Sequence, residues 1–421
     1  MTAVVGKSTV RRDGRAKVTG EALYAGDLGE PGMLHGAILR SPVAAGRIRR
    51  IDVSRARSMP GVRAVVSATE APKSLAGWVI QDTPLFARDV VRYAGEPLAA
   101  VAADTLAQAR AAVAAIDLEI EETPVVSTIA EALKPNAPRI HPQLADYARL
   151  PNLDLSPHGN IATEWTHETA GFGEAFRMAD RVVEDHFVHG RQYQAYLEPK
   201  ATVASYRDHR YRIRSGHQYL FNLRDRLAQF LAVRPSEVQV EGQTVGGGFG
   251  GKLDFGPEPY AALLSKAARG RPVQLMFTRT EDLQVASCRE GAEITVRTAL
   301  DSSGEVLGRE LLSDHDNGAY CGEMPLMAGL VLLLGAGCYR LPELRARFRL
   351  IYTNSTPTGA FRGVSGVAIY NAIEQHMDHI ARELSIDPRT YRLRMLLGDG
   401  DALPNGQVLE DASIAREAFE A

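Results

Sequence analysis

The sequence predicts an α+β protein of two or three domains, and three observations carry that prediction. Its 421 residues exceed what one core usually holds, since domains run to roughly 100–200 residues. Apolar runs of strand length alternate with amphipathic stretches of helical length, first up to about residue 125 and again after about 160. Between these regions lie Pro135, Pro138, Pro142, Pro151 and Pro157, with little periodicity, as expected of a connecting segment. The predicted division is therefore a first domain over 1–125, a connection over 126–160 and a second domain over 161–421.

The elements follow in order. Met33 to Arg40 reads as a strand, Ser54 to Ser58 as a helical turn closed by Pro60-Gly61, and Gly61 to Ser67 as a second strand. Pro97 to Ala103 is a short apolar run, and Asp104 is placed to cap an alanine-rich helix over Thr105 to Ala115. The alternation starting at Asp117 predicts a strand, completing one β-α-β unit. Beyond 160, strands are expected at Asp185 to Val188, Ala201 to Tyr206, Val238 to Val240 and Val273 to Thr278. Leu220, Leu223, Leu227 and Leu231 mark a helix, and Pro259 to Ala268 another that stops before Gly270. Ala368 to Leu384 is helical, and Asp387-Pro388 opens a last helix to about Leu397.

Composition excludes several classes. Hydrophobic residues make up 45% and charged residues 24%, and the net charge of −3 offers no basic field for nucleic acid or anionic lipid. Cys288, Cys321 and Cys338 form no disulfide framework and no C-x-x-C pair for a metal or cluster; they read as small apolar residues. His186 with His189, and Asp314-His315-Asp316-Asn317, lack a third ligand at metal spacing. Met1 to Arg15 has no apolar signal core. The most apolar stretch, Leu326 to Cys338, contains three glycines and falls short of the roughly 20 residues of a membrane span. A soluble, cytoplasmic protein is expected, with any redox cofactor drawn from outside its own cysteines.

Gly246-Gly247-Gly248-Phe249-Gly250-Gly251-Lys252 is the most informative segment, because such a backbone can approach a ligand very closely. Gly246, Gly248 and Gly251 fit the dinucleotide pattern G-x-G-x-x-G, but Phe255-Gly256-Pro257-Glu258-Pro259 delays the helix that this fold needs at once. The phosphate-loop pattern fits up to Lys252, and Leu253 then lacks the hydroxyl that would hold Mg²⁺. A structural glycine turn is the remaining reading of the segment alone.

The segment resembles the GGGFGGK loop in molybdenum-binding subunits of the xanthine dehydrogenase and aldehyde oxidase family. Gly359-Ala360-Phe361-Arg362-Gly363 resembles that family's second cofactor loop, and Asp13 to Gly20 with Tyr24 its opening stretch. Tyr196-Leu197-Glu198-Pro199 resembles its YxEP segment, and Gln218 stands 31 residues before Phe249, where the family has a glutamine near molybdenum. The resemblance implies an N-terminal α/β hammerhead-type domain followed by the first molybdopterin-binding domain, with mixed sheets. It covers only about half of a usual molybdenum subunit, so it implies a module split over two chains, as in nicotinate dehydrogenase-like hydroxylases. A second molybdopterin-binding subunit would supply the remaining pterin contacts and the general-base glutamate, leaving no catalytic base on this chain. Further implied partners are an iron–sulfur subunit and an FAD subunit; the cofactor is molybdopterin, in some members as the cytosine dinucleotide.

By the same resemblance, Gln218, Gly248, Phe249, Gly250, Ala360, Phe361 and Arg362 bind the cofactor. Gln218 would donate to an oxo group, Phe249 and Gly250 would pass close to the metal, and Arg362 would face its negative charge, with none of them a direct ligand. A Cβ at Gly250 is expected to meet the metal's ligands. Glu198 is read as tying backbone groups rather than as a base. Leu253, Leu330 and Val364 are placed in the substrate pocket. Purine-oxidising members carry Glu and Arg where this chain has Leu253 and Leu330, which argues against a purine, whose polar edge would lie unpaired on apolar walls. Val364 and its neighbours lack the cysteine of carbon monoxide dehydrogenases. The resemblance thus implies hydroxylation of an N-heteroaromatic ring carbon with water-derived oxygen. The alternatives are an aldehyde oxidoreductase component and a non-catalytic scaffold subunit.

Overall fold

The computed structural model describes residues 5–327, 329 and 334–421. In chain order the strands are β1 (Leu34–Arg40), β2 (Gly46–Asp52), β3 (Val62–Ser67), β4 (Val90–Val91), β5 (Pro97–Ala103), β6 (Asp117–Glu122), β7 (Ile161–Glu168), β8 (Arg181–His189), β9 (Ala201–Arg207), β10 (Arg210–Ser215), β11 (Val238–Gly242), β12 (Val273–Met276), β13 (Gly291–Leu300), β14 (Val306–Gly318) and β15 (Glu343–Tyr352). Among the described residues they form three sheets, ordered β11-β10-β9-β12-β1-β5-β3, β7-β15-β14-β13-β8 and β4-β2-β6. Both large sheets are mixed: β1 runs parallel to β12, β10 to β11 and β14 to β15, among otherwise antiparallel pairs. The β1–β12 pairing (Leu34↔Val273) makes one sheet of strands from the first 125 residues and strands from beyond 200.

Burial explains the layout. Every residue of β5 is buried, so a near-continuous apolar run becomes an interior strand. The helices Leu220–Leu231 and Glu258–Ala267 cover this sheet, burying Leu223, Leu227 and Leu264 against Val273 and Leu275. The helix Gly366–Glu383 buries Ile369, Ile373, Met377 and Ile380 in the core of the five-stranded sheet, with Ile294, Val296 and Phe348. That spacing of three and four keeps one helical face inward.

Two local expectations change, and the expected connection packs into a core. Asp104 does not cap the alanine-rich helix. Thr105 does, its hydroxyl accepting from Gln108 N–H over a helix spanning Leu106–Ala114, while Asp104 holds Arg63 at 2.5 Å. Thr105→Ala should lower stability by about 1 kcal/mol, read as a shift of the urea midpoint at constant slope. The expected β-α-β unit is divided between sheets, because β6 is acidic and alternating and pairs with basic β2 instead of apolar β5. Arg50 meets Asp117 at 2.5 Å across that ladder. Finally, residues 126–160 are packed: Val126, Ile129, Ile140 and Leu144 are buried in the larger core.

Candidate cofactor-binding site

The first glycine loop follows β11, at one edge of the seven-stranded sheet. The second loop lies between β15 and the helix Gly366–Glu383. They meet through a backbone bond from Arg362 N–H to Phe249 O (2.9 Å).

Gln218 organises the first loop. The N–H groups of Gly250 and Lys252 both donate to its Oε1, at 3.1 and 3.2 Å, and its own N–H donates to Lys252 O (2.9 Å). With the oxygen occupied by two donors, the network fixes the amide's orientation and leaves the NH₂ facing outward. Gln218 is exposed. The adjacent His217 accepts from Tyr219 N–H at Nδ1 (3.0 Å), and burial lowers its pKa to about 4. It is neutral at pH 7 and adds no charge beside the amide.

Glu198 does what its position suggested. Its Oε2 accepts from Gly246 N–H (2.6 Å) and from Lys252 Nζ (2.5 Å). The Lys252 side chain is 3% exposed and lies 5.1 Å from the centre of the Tyr196 ring, whose O–H donates to Asp282 Oδ1 (2.9 Å). Burial pushes the Lys252 ammonium below its usual range and the Tyr196 phenol above it. The loop's lysine is therefore a buried tie to Glu198, not a free phosphate ligand.

The glycines are needed where atoms crowd. A Cβ at Gly248 would stand 2.3 Å from Gln218 Oε1, so the amide that holds the loop also demands glycine there. Gly250 has φ +101°, and its Cβ would stand 2.5 Å from Ala360 O. Bulk at Gly250 therefore meets the backbone of the second loop. Phe249 itself holds φ +52° and is 48% exposed. Val364 holds φ +47° and is the one β-branched residue among the described non-glycine residues with positive φ. Strain of about 1–3 kcal/mol at such positions clusters at functional sites, and here each loop carries one.

The second loop is pinned from behind by two residues the sequence reading missed. Gln194 Nε2 donates to Ala360 O (2.8 Å) and Ser287 O (3.0 Å). Arg289 donates to Phe361 O (2.9 Å) and Arg362 O (2.8 Å), and its guanidinium lies 4.4 Å from the Phe361 ring centre. Neither belongs to a motif; only the fold brings 194, 289 and 360–362 together. Arg362 has an exposed side chain that makes no ion pair among the described residues.

Of the residues expected in the substrate pocket, Leu253 is half-buried, with its N–H donating to Gly250 O (3.0 Å). Val364 is half-buried against the core of the five-stranded sheet. Leu330 lies outside the described residues. Asp314 is taken by Arg349 at 2.5 Å, and Asp316 by Arg191 at 2.8 Å. Among the described residues no three His, Cys, Asp or Glu side chains converge to hold a metal, and no helix is long and apolar enough to cross a membrane.

Residues 155–396 match the molybdopterin cofactor-binding domain, and residues 19–124 match the a/b hammerhead domain of aldehyde oxidase and xanthine dehydrogenase. The chain belongs to the aldehyde oxidase and xanthine dehydrogenase family. The predicted α+β fold, hammerhead domain first, holds for this family member. It is 32% identical to the nicotinate dehydrogenase large molybdopterin subunit of Eubacterium barkeri, over 99% of this chain and 95% of that one. It is 30% identical to the nicotine 6-hydroxylase large subunit of Paenarthrobacter nicotinovorans, over 97% of this chain but 50% of that one. Among solved structures it resembles the aldehyde oxidoreductase of Desulfovibrio gigas, with TM-score 0.87 and 28% identity, over 97% of this chain and 45% of that one. The chain thus spans about half the length of two of these relatives and nearly all of the third.

The site suits the family's anionic cofactor. The exposed amide of Gln218, the exposed guanidinium of Arg362, which makes no ion pair among the described residues, and a glycine-rich backbone lie on two loops joined by the Arg362 N–H to Phe249 O bond, a donor set matched to oxo, thiolate and phosphate groups.

Proposed function

We propose that this chain is the molybdenum-binding component of a multi-subunit hydroxylase that oxidises a ring carbon of an N-heteroaromatic substrate. The observation that carries the proposal is Gln218, whose oxygen is held by the N–H groups of Gly250 and Lys252 so that its NH₂ is left free of the loop. When bound, the molybdopterin cofactor would supply the two-electron chemistry that places a water-derived oxygen on an electron-poor carbon. This chain's part is placement and electrostatics. Gln218 Nε2 would donate toward negative charge at the reacting centre, Gly248 and Gly250 would let the backbone approach it, and Arg362 would balance the cofactor's charge. Ala360 and Phe361 would keep the second loop against the first.

Leu253 follows Lys252 as a half-buried apolar side chain, which supports a flat, weakly polar ring over a purine. The likeness to a nicotinate dehydrogenase subunit points to the same substrate class. The general base and remaining pterin contacts would come from a second molybdopterin-binding subunit, with iron–sulfur and FAD subunits receiving the electrons.

The test is the complex purified from its own cell, with native mass, molybdenum content and a substrate panel measured together. We expect about one molybdenum per copy of this chain only when a second molybdopterin-binding chain is present, and turnover of pyridine- or quinoline-type rings. Turnover of aldehydes alone would overturn the substrate class. A complex without molybdenum would make the chain a scaffold.

A further inference from the structure

Alternate residues of the segment between β8 and β9 each hold a position of the two cofactor loops. Gln192 Oε1 accepts from Arg289 Nη1 (2.8 Å), and Arg289 in turn pins Phe361 and Arg362. Gln194 holds Ala360, and Glu198 holds Gly246 and Lys252. Tyr196 stands between them and supports the first loop with its ring. A Cβ at Gly251 would stand 2.6 Å from Tyr196 Cε1, and one at Gly247 3.2 Å from Tyr196 Cβ. Lys252 Nζ lies over the same ring, and Tyr196 is 0% exposed.

A carboxylate fixes that ring. The Tyr196 phenol donates to Asp282 Oδ1 (2.9 Å), and the Tyr193 phenol donates to Asp282 Oδ2 (3.1 Å). Asp282 is fully buried in the helix Arg279–Val285, so the fold sets its place. The helix is itself anchored. Thr278 Oγ1 accepts from Glu281 N–H (3.1 Å) at its start, and Arg40 of β1 meets Glu281 at 3.4 Å. Arg279 reaches back to donate to Tyr193 Oη (2.9 Å) and Leu197 O (2.6 Å). Both ends of the stretch from Tyr193 to Leu197 are thus tied to the helix that carries Asp282.

We propose that Asp282 is a positioning residue that sets the first cofactor loop through the Tyr196 ring. The proposal rests on the cofactor-holding part of the function proposed above and not on its substrate class. A glycine-rich backbone has few side chains of its own to keep it in place. A site that directs a reaction is held to about 0.5 Å by partners that are themselves locked. Tyr196 supplies the contact surface, and Asp282 removes the ring's remaining freedom. Without an acceptor for its buried O–H, the ring shifts to find another. Gly247, Gly251 and Lys252 then lose their support, and the N–H groups of Gly250 and Lys252 that hold Gln218 Oε1 move with them. The acceptor is what the role requires. Asparagine at 282 keeps one for Tyr196 and offers its NH₂ to Tyr193 Oη, whereas alanine keeps neither.

The test is amide hydrogen exchange of the purified complex, read over residues 246–252, in Asp282→Ala, Asp282→Asn, Tyr196→Phe and the double variant Asp282→Ala/Tyr196→Phe. Exchange there should rise in Asp282→Ala and in Tyr196→Phe and stay at the parent level in Asp282→Asn. The double variant should exchange no faster than Asp282→Ala, because the two residues act as one unit. With molybdenum content matched, the molybdenum electron paramagnetic resonance spectrum of the dithionite-reduced complex should change in Asp282→Ala and Tyr196→Phe and keep its parent form in Asp282→Asn. In the two altered complexes kcat should fall by up to about 100-fold, the cost of a misplacement of about 1 Å. A merely structural role would raise exchange along the whole chain and leave the spectrum unchanged, and that result overturns the proposal. So does parent-level exchange over 246–252 in both Asp282→Ala and Tyr196→Phe, or an Asp282→Asn complex that behaves as Asp282→Ala. If Asp282→Ala does not assemble, Tyr196→Phe decides, since it loses one hydroxyl and keeps the ring. The exchange arm needs neither metal nor substrate, so a complex without molybdenum would count against the proposed function while exchange still decides the role of Asp282.

Discussion

A complex carrying Gly250→Val should purify with most of its molybdenum missing and with a lower thermal midpoint than the unmodified complex. The cause lies within this chain. At φ +101° a Cβ would stand 2.5 Å from Ala360 O, 2.7 Å from Ala360 C and 3.0 Å from Ala360 Cβ. The nearest two of these are backbone atoms, so no rotamer change relieves the clash. Overpacking of this kind costs about 1–3 kcal/mol, and a branched side chain in the left-handed half of the map adds about 1–2 kcal/mol. Relief requires the two loops to separate, which breaks the Arg362 N–H to Phe249 O bond and moves Arg362 away from Gln218. Metal analysis per complex and a melting curve check this together. A normal molybdenum content at an unchanged midpoint would mean the two loops are not packed as described. Gly250→Ala should show the same effects at smaller size.

The loops themselves were legible in the sequence because they are contiguous and unusual: five glycines around Phe249, and Arg362 within Gly359 to Gly363. Gln218 was legible only through its distance from Phe249; no local pattern marks it. Gln194 and Arg289 were not legible, since each acts on a backbone carbonyl about 70 or more residues away in sequence, and a carbonyl leaves no trace in composition. The fold divides in the same way. Helices such as Leu220–Leu231 are written in their own leucine spacing. Strands β13, β14 and β15 were missed because arginines and acids interrupt their apolar residues, as in Glu343–Tyr352, where four of ten residues are charged. Those charges pair across the ladder, Arg349 with Asp314 and Arg345 with Glu168, so their place in a sheet is set by partner strands. Asp104 lost the cap to its neighbour for a similar reason: Arg63 and Arg271, distant in sequence, hold its carboxylate.

Gln218→Glu should lower kcat by about 100- to 1,000-fold while leaving the first loop in place, because losing one preorganised donor at developing negative charge costs about 2.7–4 kcal/mol. The carboxylate keeps an oxygen where Oε1 accepts from Gly250 and Lys252 N–H. Its second oxygen replaces the outward NH₂, so a donor becomes a negative acceptor facing an anionic cofactor. Gln218→Ala differs in kind. It removes the outward donor and also strands two loop N–H groups, of which the part-buried one of Lys252 costs about 1–3 kcal/mol when left unpaired. The alanine variant should therefore lose rate, thermal midpoint and molybdenum together, while the glutamate variant loses rate with the midpoint held near that of the parent complex. The comparison needs kcat per bound molybdenum and a melting curve for each complex. If Gln218→Glu kept the parent rate at equal molybdenum, the outward amide would not face the reacting centre, and the reading built on that donor would fall even though the loop remains where Glu198 and Gln218 hold it.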